Sequence, residues 1–263
     1  MIRLVLWLFV GFLTLPARGQ IADFFVDPAG KGYFLLEDAR LVTPNPLGGN
    51  TYSFYDSSLG APDYIDVTNP FQILVYYRDY GTVVVLDRTL SELDRIDLFA
   101  NTAIQQPGVI ARSYDDGMWV FDNWDFRLLR LNGIGEVEQR TNNLRLQLGI
   151  TGPADALFVD RNAVVLYFAA EHRMAVFTNY GEFQRWVQVP PDVTLSWRAP
   201  RLLAVGDAEH WMWTPREAEL LSLGEWPQDV PRLPRVRMDG TGYLTPVPEN
   251  LSVRGTKVSN KKE

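Results

Sequence analysis

The stretch at residues 72–98 reads QILVYY, RDYG, TVVVLD, RTLSE and LDRIDL, an alternation of apolar runs and polar turns. The runs are rich in β-branched side chains, which is typical of strands, and the segments between them carry glycine or charge. Three later segments repeat the alternation, at residues 117–142, 163–189 and, in a shorter form, 209–226. The chain is therefore predicted to repeat one unit built from β-strands.

Each copy is preceded by a further short apolar run that opens after a proline, at Pro62, Pro107, Pro153 and Pro200. Successive prolines are 45, 46 and 47 residues apart, and a repeat of about 40–50 residues with four strands is the signature of a propeller blade. Proline suits the first residue of a strand, where its missing N–H breaks no ladder bond. We therefore predict an all-β fold, a β-propeller of about five four-stranded blades, with six blades or an incomplete ring as alternatives.

The four strands of the repeat differ in composition, and the differences predict their order from the central channel outward. The second strands are nearly continuous apolar runs, as at residues 73–77 and 163–168, which indicates burial on both faces between neighbouring blades. The fourth strands mix in charged residues, as expected of an outer edge. In the last copy this pattern assigns residues 201–205 to the first strand and 211–213 to the second. Residues 21–61 fit a degenerate first blade, as terminal repeats often are.

The repeat resembles the blades of the β-propeller superfamily in general, including WD-repeat, NHL-type and quinoprotein-like blades. The resemblance covers about residues 21–247 and rests on the period and the strand pattern. A Trp-Asp pair occurs once, at Trp124 and Asp125, in a predicted turn, so it is not the WD-repeat signature. Lactonase-type propellers are similar in architecture and hold a metal through inward Glu, Asn and Asp side chains, but no such set is identified in this sequence.

The composition argues against several classes of function. The chain has 263 residues, a formal net charge of −7 and a pI near 5.0, which argues against a nucleic-acid partner. It has no cysteine, so disulfides, thiolate metal sites and cysteine nucleophiles are excluded. The sequence also lacks the motifs of a serine nucleophile elbow, a phosphate-binding loop, a zinc-binding helix and an EF-hand. We therefore expect no cofactor.

Two features bear on metal binding. The two histidines, His172 and His210, are 38 residues apart, whereas zinc sites generally take three or four protein ligands. Asp122 and Asp125 flank a predicted turn, where calcium is an alternative to a structural role. The sequence predicts no metal site.

The N-terminus has the pattern of a secretory signal peptide at residues 1–19. An early Arg3 is followed by a predominantly apolar twelve-residue stretch at positions 4–15 and by the small-x-small pattern Ala17-Arg18-Gly19, as at a cleavage site. An uncleaved membrane anchor is the alternative, but twelve residues are fewer than the roughly 20 that a bilayer span needs. We predict a periplasmic or secreted protein.

Beyond that segment, the sequence predicts one domain and a tail. The propeller domain is expected at residues 20–250, without a transmembrane span in the mature chain. Residues 251–263 end in GTKVSNKKE, a polar tail that is expected to be disordered.

One constellation of residues suggests a working surface. With the strand order above, the turns between second and third strands share one face of the disc with the loops that enter each blade. Trp, Tyr and Arg are enriched at the hot spots of protein interfaces. The binding residues predicted on this face are Arg78, Tyr80, Trp124, His172, Trp197 and Arg198. A purely structural role, with polar turns and aromatics that cover the blade ends, stays open.

The sequence leaves two hypotheses of function. The first is an exported, non-catalytic binding or scaffold protein that uses one face of the propeller to bind a protein partner in the cell envelope. The second is an enzyme, a hydrolase or lyase, that acts on a small ligand in the central channel. The candidate residues for that channel are Asp66, Arg112, Asp160 and Asp207, near the ends of predicted first strands.

The first prediction concerns export. Because the small-x-small pattern ends at Gly19, signal peptidase should cleave after that residue and leave a mature chain that begins at Gln20. Mass spectrometry of the N-terminal peptide of the native protein measures this directly. Intact residues 1–19 on protein recovered from the cytosol would contradict the predicted localisation.

Overall fold

The computed structural model describes residues 20–228, 230, 237–239, 242–248 and 251–257. In these residues the chain forms five four-stranded antiparallel sheets and one three-stranded sheet. The prediction of an all-β propeller with about five four-stranded blades is therefore confirmed. The predicted signal peptide, residues 1–19, lies outside the described residues.

The first two blades follow the predicted strand order. The strands of the first blade are β1 (Ile21–Val26), β2 (Gly32–Leu36), β3 (Leu41–Thr43) and β4 (Tyr52–Phe54). Those of the second are β5 (Tyr64–Asp66), β6 (Ile73–Tyr77), β7 (Thr82–Leu86) and β8 (Glu92–Asp97). Each strand pairs with the next one along the chain.

The third and fourth blades have the same strand order. The third contains β9 (Pro107–Arg112), β10 (Met118–Asp122), β11 (Arg127–Leu131) and β12 (Val137–Arg140). The fourth contains β13 (Ala156–Asp160), β14 (Ala163–Phe168), β15 (Arg173–Thr178) and β16 (Phe183–Gln188). Every residue of β10 and β14 is buried, as the apolar runs of the second strands predict.

In the fifth blade the predicted assignment is wrong by one strand. The strands are β17 (Thr194–Arg198), β18 (Arg201–Val205), β19 (Glu209–Trp213) and β20 (Leu221–Glu225). Residues 201–205 are thus the second strand and not the first, and Pro200 lies in the turn that precedes them. The true first strand, TLSWR, alternates apolar with polar residues, so it lacks the apolar run by which the other blades were recognised.

The sixth sheet comes from the C-terminal part of the chain. It contains β21 (Arg237–Asp239), β22 (Gly242–Val247) and β23 (Ser252–Lys257) in that order. The polar tail predicted from residue 251 onward is therefore a strand as far as Lys257, which pairs with Gly242 of β22. Residues 258–263 lie outside the described residues.

In the part of the chain that the structure describes, helical structure is confined to short connections. One α-helix, α1 (Leu144–Leu148), joins the third and fourth blades. Single 3-10 turns occur at Arg78–Tyr80, Leu98–Ala100 and Ala169–Glu171. Among the described residues, no helix is both long enough and apolar enough to cross a membrane.

Buried apolar side chains form a separate cluster between each pair of neighbouring sheets. The cluster between the second and third blades, for example, joins Val83 and Leu74 to Val120 and Leu129. The sixth sheet packs on the fifth blade through Tyr243 and Leu203. On its other side it packs on the first blade, and this cluster comprises Phe24, Phe34, Leu36, Val42 and Leu244. The sixth sheet therefore closes the ring.

The second prediction tests the order of strands within a blade. Trp119 of β10 is fully buried between the third and fourth blades, so Trp119→Ala should lower the free energy of unfolding by about 3–5 kcal/mol, because it leaves a large cavity. Gln184, on the outer strand β16, is exposed, and Gln184→Ala should change it by no more than about 0.5 kcal/mol. Urea unfolding measures both values. Equal losses at the two positions would contradict this order.

Candidate functional site

The antiparallel order of each blade sorts its turns onto two faces of the ring. The front face carries the turns between second and third strands, at residues 78–81, 123–126, 169–172 and 206–208, with the connections between blades. The back face carries the turns between first and second strands and between third and fourth strands. The first strands of all six sheets line a central channel between the two faces.

Two of the front-face turns are fixed by an aspartate that precedes the first strand of the same blade. Asp63 Oδ2 accepts a hydrogen bond of 2.8 Å from the backbone N–H of Arg78. Asp155 Oδ2 accepts the equivalent bond of 2.7 Å from the N–H of Ala169. The first N–H groups of a 3-10 turn have no partner within the turn. Each carboxylate accepts a hydrogen bond from one of them and so stabilises the start of the turn.

The same turns end on a residue in the left-handed conformation. Gly81 has φ 55° and His172 has φ 49° at equivalent positions. A Cβ added to Gly81 would lie 2.6 Å from the ring of Phe99, so glycine lets that ring pack directly over the turn. His172 ends its turn by adopting the left-handed conformation and donating its backbone N–H to the carbonyl oxygen of Ala169, which is a structural role.

The third blade builds the turn in a different way. Its Gly108 stands where the other two blades have the capping aspartate, and a Cβ there would lie 2.3 Å from the side-chain nitrogen of Asn123. Asp122 is fully buried and accepts hydrogen bonds from the backbone N–H groups of Gln106 and Asp125, at 2.6 and 3.1 Å. Since backbone donors surround its carboxylate, Asp122 organises this turn. The described residues contain no group of three or more His, Cys, Asp or Glu that could hold a metal ion.

Exposed aromatic and apolar side chains gather on the front face above the second and third blades. Trp124 is 65% exposed, Tyr80 50%, Phe99 48% and Leu146 86%. The guanidinium of Arg145 stacks at 3.6 Å over the ring of Phe126 in the same region. We call the set Tyr80, Phe99, Trp124, Arg145 and Leu146 the front ridge.

The chain itself makes the front ridge continuous. Phe99 packs over Gly81 beside Tyr80, and the connection that follows it ends at Gln106, whose carbonyl accepts from the N–H of Asn123 at 2.8 Å. The side chain of Asn143 donates to the carbonyl oxygen of Asp125 at 2.7 Å, which fixes the start of α1 beside the turn. The turns and connections of the two blades thus form one hydrogen-bonded surface.

The structure divides the six predicted binding residues between the two faces. Arg78, Tyr80, Trp124 and His172 lie in front-face turns, as expected. Trp197 and Arg198 do not, because they form the end of β17 that leads into a back-face turn. Their predicted place followed from the strand error in the fifth blade.

The channel holds a cavity of about 360 Å³, within the range of small-ligand sites. It extends from Arg78 on the front side to Arg198 on the back side. The other ionisable side chains that line it are Asp23, Asp63, Tyr64, Asp66, Tyr76, Asp155 and Arg237. Tyr64 and Arg237 carry no sequence signal for the channel, since neither lies in a recognisable motif.

The carboxylates of the channel wall are held by neighbouring groups. Asp66 accepts a hydrogen bond of 3.0 Å from the hydroxyl of Tyr64. It accepts two more from Thr68, of 2.8 Å from the backbone N–H and 2.5 Å from the hydroxyl. Arg112 Nε of the next blade lies 4.0 Å from Asp66. Burial, and then the neighbouring Asp66 carboxylate, raises the pKa of Tyr64 well above its ordinary value, so this phenol keeps its proton.

The four channel candidates named from the sequence also separate. Asp66 lines the cavity, and Arg112 is buried behind it. Asp160 instead faces a shallow cleft of about 490 Å³ on the back face, between the fourth and fifth blades. Asp207 lies in the front-face turn between β18 and β19.

The two histidines have unrelated surroundings. His172 is exposed on the front face, while His210 is buried between the fifth blade and the sixth sheet. Its Nδ1–H donates 3.0 Å to the carbonyl oxygen of Gly224, so Nε2 of the neutral ring accepts from the hydroxyl of Tyr243. Trp226 packs edge-on against it at 5.1 Å. His210 therefore helps to close the ring.

Comparison with known proteins supports the fold. No protein-family model matches the chain, and no curated protein matches it. A streptogramin B lyase superposes with a TM-score of 0.60 at 14% sequence identity, over 95% of this chain and 86% of the lyase. A catalytically inactive virginiamycin B lyase from Staphylococcus aureus, solved with quinupristin, gives 0.60 at 12% identity, over 94% and 87%. The C-terminal WD40 domain of Sif2 gives 0.52 at 12%, over 86% and 63%.

At identities this low, the likeness shows the fold alone. The chain is a β-propeller. Within that propeller, exposed aromatic side chains lie on the front ridge and also in back-face turns, at Phe71, Tyr114 and Tyr180, while charged side chains line the channel.

The third prediction concerns the propeller's response to acid. Burial lowers the pKa of His210 below its ordinary value, and the hydrogen bond to Gly224 offsets part of that effect. Unfolded histidine binds a proton near pH 6.5, so below that pH protons favour the unfolded chain. The stabilising contribution of neutral His210 is full above about pH 6.5 and is lost as the pH falls toward its folded pKa.

An NMR titration of the histidine ring protons measures this shift. The His210 signal should titrate at lower pH than histidine in an unfolded peptide of the same sequence. Urea unfolding at neutral and acidic pH measures how much stability each protein loses on acidification. The native chain should lose more than His210→Gln. A His210 signal that titrates at or above the peptide value would contradict the prediction.

Proposed function

We propose that this chain is an exported, non-catalytic binding protein whose protein partner docks on the front ridge. The observation that carries the proposal is the concentration of exposed Trp, Tyr, Phe and Arg side chains above two neighbouring blades. Such residues supply most of the binding energy in protein interfaces, whereas singly scattered exposed apolar residues are ordinary.

The turns beneath the front ridge give it the rigidity that an interface favours. The backbone bond from Arg78 to Asp63 fixes the turn that holds Tyr80, and the buried Asp122 fixes the turn that holds Trp124. A side chain presented by an ordered backbone loses little conformational freedom on binding. These aromatic side chains therefore fit the role of anchors better than that of flexible loop residues.

The proposed location follows from the N-terminal sequence. Residues 1–19 have the composition of a signal peptide, so the partner is sought in the cell envelope or outside the cell. The absence of cysteine from the chain is compatible with an oxidising compartment, since no thiol can form an unwanted disulfide.

The arrangement of the channel favours binding over catalysis as the main activity. Asp63 and Asp155 hold turns, Asp23 lies 3.4 Å from the guanidinium of Arg237, and Asp66 accepts from Tyr64 and Thr68. A general base must reach a proton of the substrate, and each of these carboxylates already has a structural partner. The lyase activity of two of the similar structures belongs to those proteins.

The fourth prediction tests the front ridge. A photo-crosslinking amino acid at position 124, expressed in the native host, should capture a partner from the cell envelope, because Trp124 is exposed at the centre of the ridge. The same amino acid at position 180 is the control, since Tyr180 is equally exposed on the back face. Capture only from position 180 would place the interface on the back face and contradict the proposal.

Alanine variants then measure the contribution to affinity. With the captured partner purified, Trp124→Ala should weaken the complex by at least about 2 kcal/mol, as for an anchor residue. Tyr180→Ala and Glu182→Ala on the back face should leave the affinity unchanged. Melting curves should be unaffected by all three changes, because the side chains lie outside the blade cores. An unchanged affinity in Trp124→Ala would overturn the proposal.

A further inference from the structure

The back end of the central channel combines an aromatic wall, a polar wall and an unpaired buried hydroxyl. From this combination we infer a second binding site, for a neutral polyhydroxylated ligand such as a mono- or disaccharide. The site is independent of the front ridge, since its residues lie in first strands or, as Thr68 does, in the back-face turn that follows one.

The aromatic wall comes from the fourth and fifth blades. The rings of Phe158 and Trp197 lie 5.5 Å apart with their planes tilted by 31°, and both residues line the cavity. The face of an aromatic ring carries negative partial charge and attracts the weakly positive C–H groups of another molecule. The C–H face of a sugar ring presents such groups in a plane, so we expect it to pack against the half-buried Trp197 of this wall.

The polar wall comes from the second blade. Asp66 receives three hydrogen bonds, from Tyr64 and from two groups of Thr68, whereas a carboxylate offers about four acceptor positions. A sugar hydroxyl that donates to the remaining position makes a charge-assisted bond, which is stronger than a bond between neutral groups. The hydroxyl of Thr68 can accept from an adjacent sugar hydroxyl at the same time.

Ser196 provides the observation that points most directly to a ligand. Its side chain lines the cavity and is only 7% exposed. Its Oγ has no hydrogen-bond partner within the part of the chain that the structure describes. A buried hydroxyl without a partner is costly, and a polar ligand in the channel would satisfy it.

The charge of the channel wall selects for a neutral ligand. The lining contains Asp23, Asp63, Asp66 and Asp155 together with Arg78, Arg198 and Arg237, and Arg112 lies directly behind. Four carboxylates and four guanidinium groups balance, and several of them pair across the wall, as Arg237 does with Asp23. A charged ligand would have to enter without a free counter-charge, which costs desolvation energy.

The fifth prediction tests this site by titration calorimetry with full-length mature protein. The probes are glucose, galactose, N-acetylglucosamine and maltose, with glucose 6-phosphate and glucosamine as the charged counterparts. We expect at least one neutral sugar to bind with a dissociation constant in the millimolar range or below. Its charged counterpart should bind more weakly. No binding of any neutral sugar, or equal binding of the charged ones, would overturn the inference.

Variants place the sugar in the channel. Ser196→Ala should weaken binding about three- to tenfold, the effect of one lost hydrogen bond, while the melting temperature stays the same or rises because an unpaired hydroxyl is removed. Thr68→Val should weaken binding in the same range from the opposite wall. The matched control is Ser53→Ala, at an exposed position on the outer strand β4, which should leave sugar affinity unchanged. Full affinity in both Ser196→Ala and Thr68→Val would overturn the inference.

The same variants separate this site from the proposed front interface. Trp124→Ala should leave sugar binding intact, because Trp124 lies on the other face of the disc. Loss of sugar binding in Trp124→Ala, with an intact fold, would contradict a channel site. If no partner binds the front ridge, the proposed sugar site is unaffected. If no sugar binds the channel, the proposed front interface is likewise unaffected.

Discussion

Closure of the ring depends on one buried guanidinium. Arg237, the first residue of β21, donates 2.6 Å to the carbonyl oxygen of Phe24 and approaches that of Trp197 at 3.5 Å. It also pairs with Asp23 and lies 4.6 Å from the ring of Phe25. One side chain thereby joins the sixth sheet to the first blade on one side and to the fifth on the other. A lysine could not make these contacts together, because its donors all sit on one nitrogen, whereas the guanidinium of arginine spreads its donors over separate nitrogens in a rigid plane.

Ring closure gives every sheet a neighbour on both of its faces. A blade alone leaves both faces of its sheet exposed, and each apolar cluster exists only between two sheets. The first and last sheets therefore need each other, although they lie far apart in sequence. Leu244 packs with Phe24 and Phe34, while His210 and Tyr243 bridge to the fifth blade. Local sequence patterns stabilise the blades, and these few long-range contacts make them a ring.

The difference between local sequence patterns and long-range contacts determines how much of the structure could be predicted from the sequence. The apolar runs at residues 73–77 and 163–168 reveal the second strands, because burial on both faces leaves a clear signal. The first strand β17 reads TLSWR and gives no such signal, since one edge of it lines a polar channel. Trp197 and Arg198 were assigned to the wrong face for that reason. The front-face positions of Tyr80 and Trp124 followed correctly from blades whose strands were recognised.

The acids of this propeller show why residue type alone is a poor guide to a site. Asp63 and Asp155 line the channel, yet each accepts from a backbone N–H that begins a front-face turn. In the third blade, Gly108 and the side chain of Asn123 occupy the corresponding place, and the backbone N–H of Asn123 donates to the carbonyl oxygen of Gln106, so the turn forms without that carboxylate. Asp66 also accepts from the backbone N–H of Thr68 and so closes its own back-face turn, but the hydroxyls of Tyr64 and Thr68, two residues that line the cavity, donate to it as well. Where two acids share a channel, the partners of their oxygens therefore distinguish the one that can meet a ligand from the one that only holds a turn.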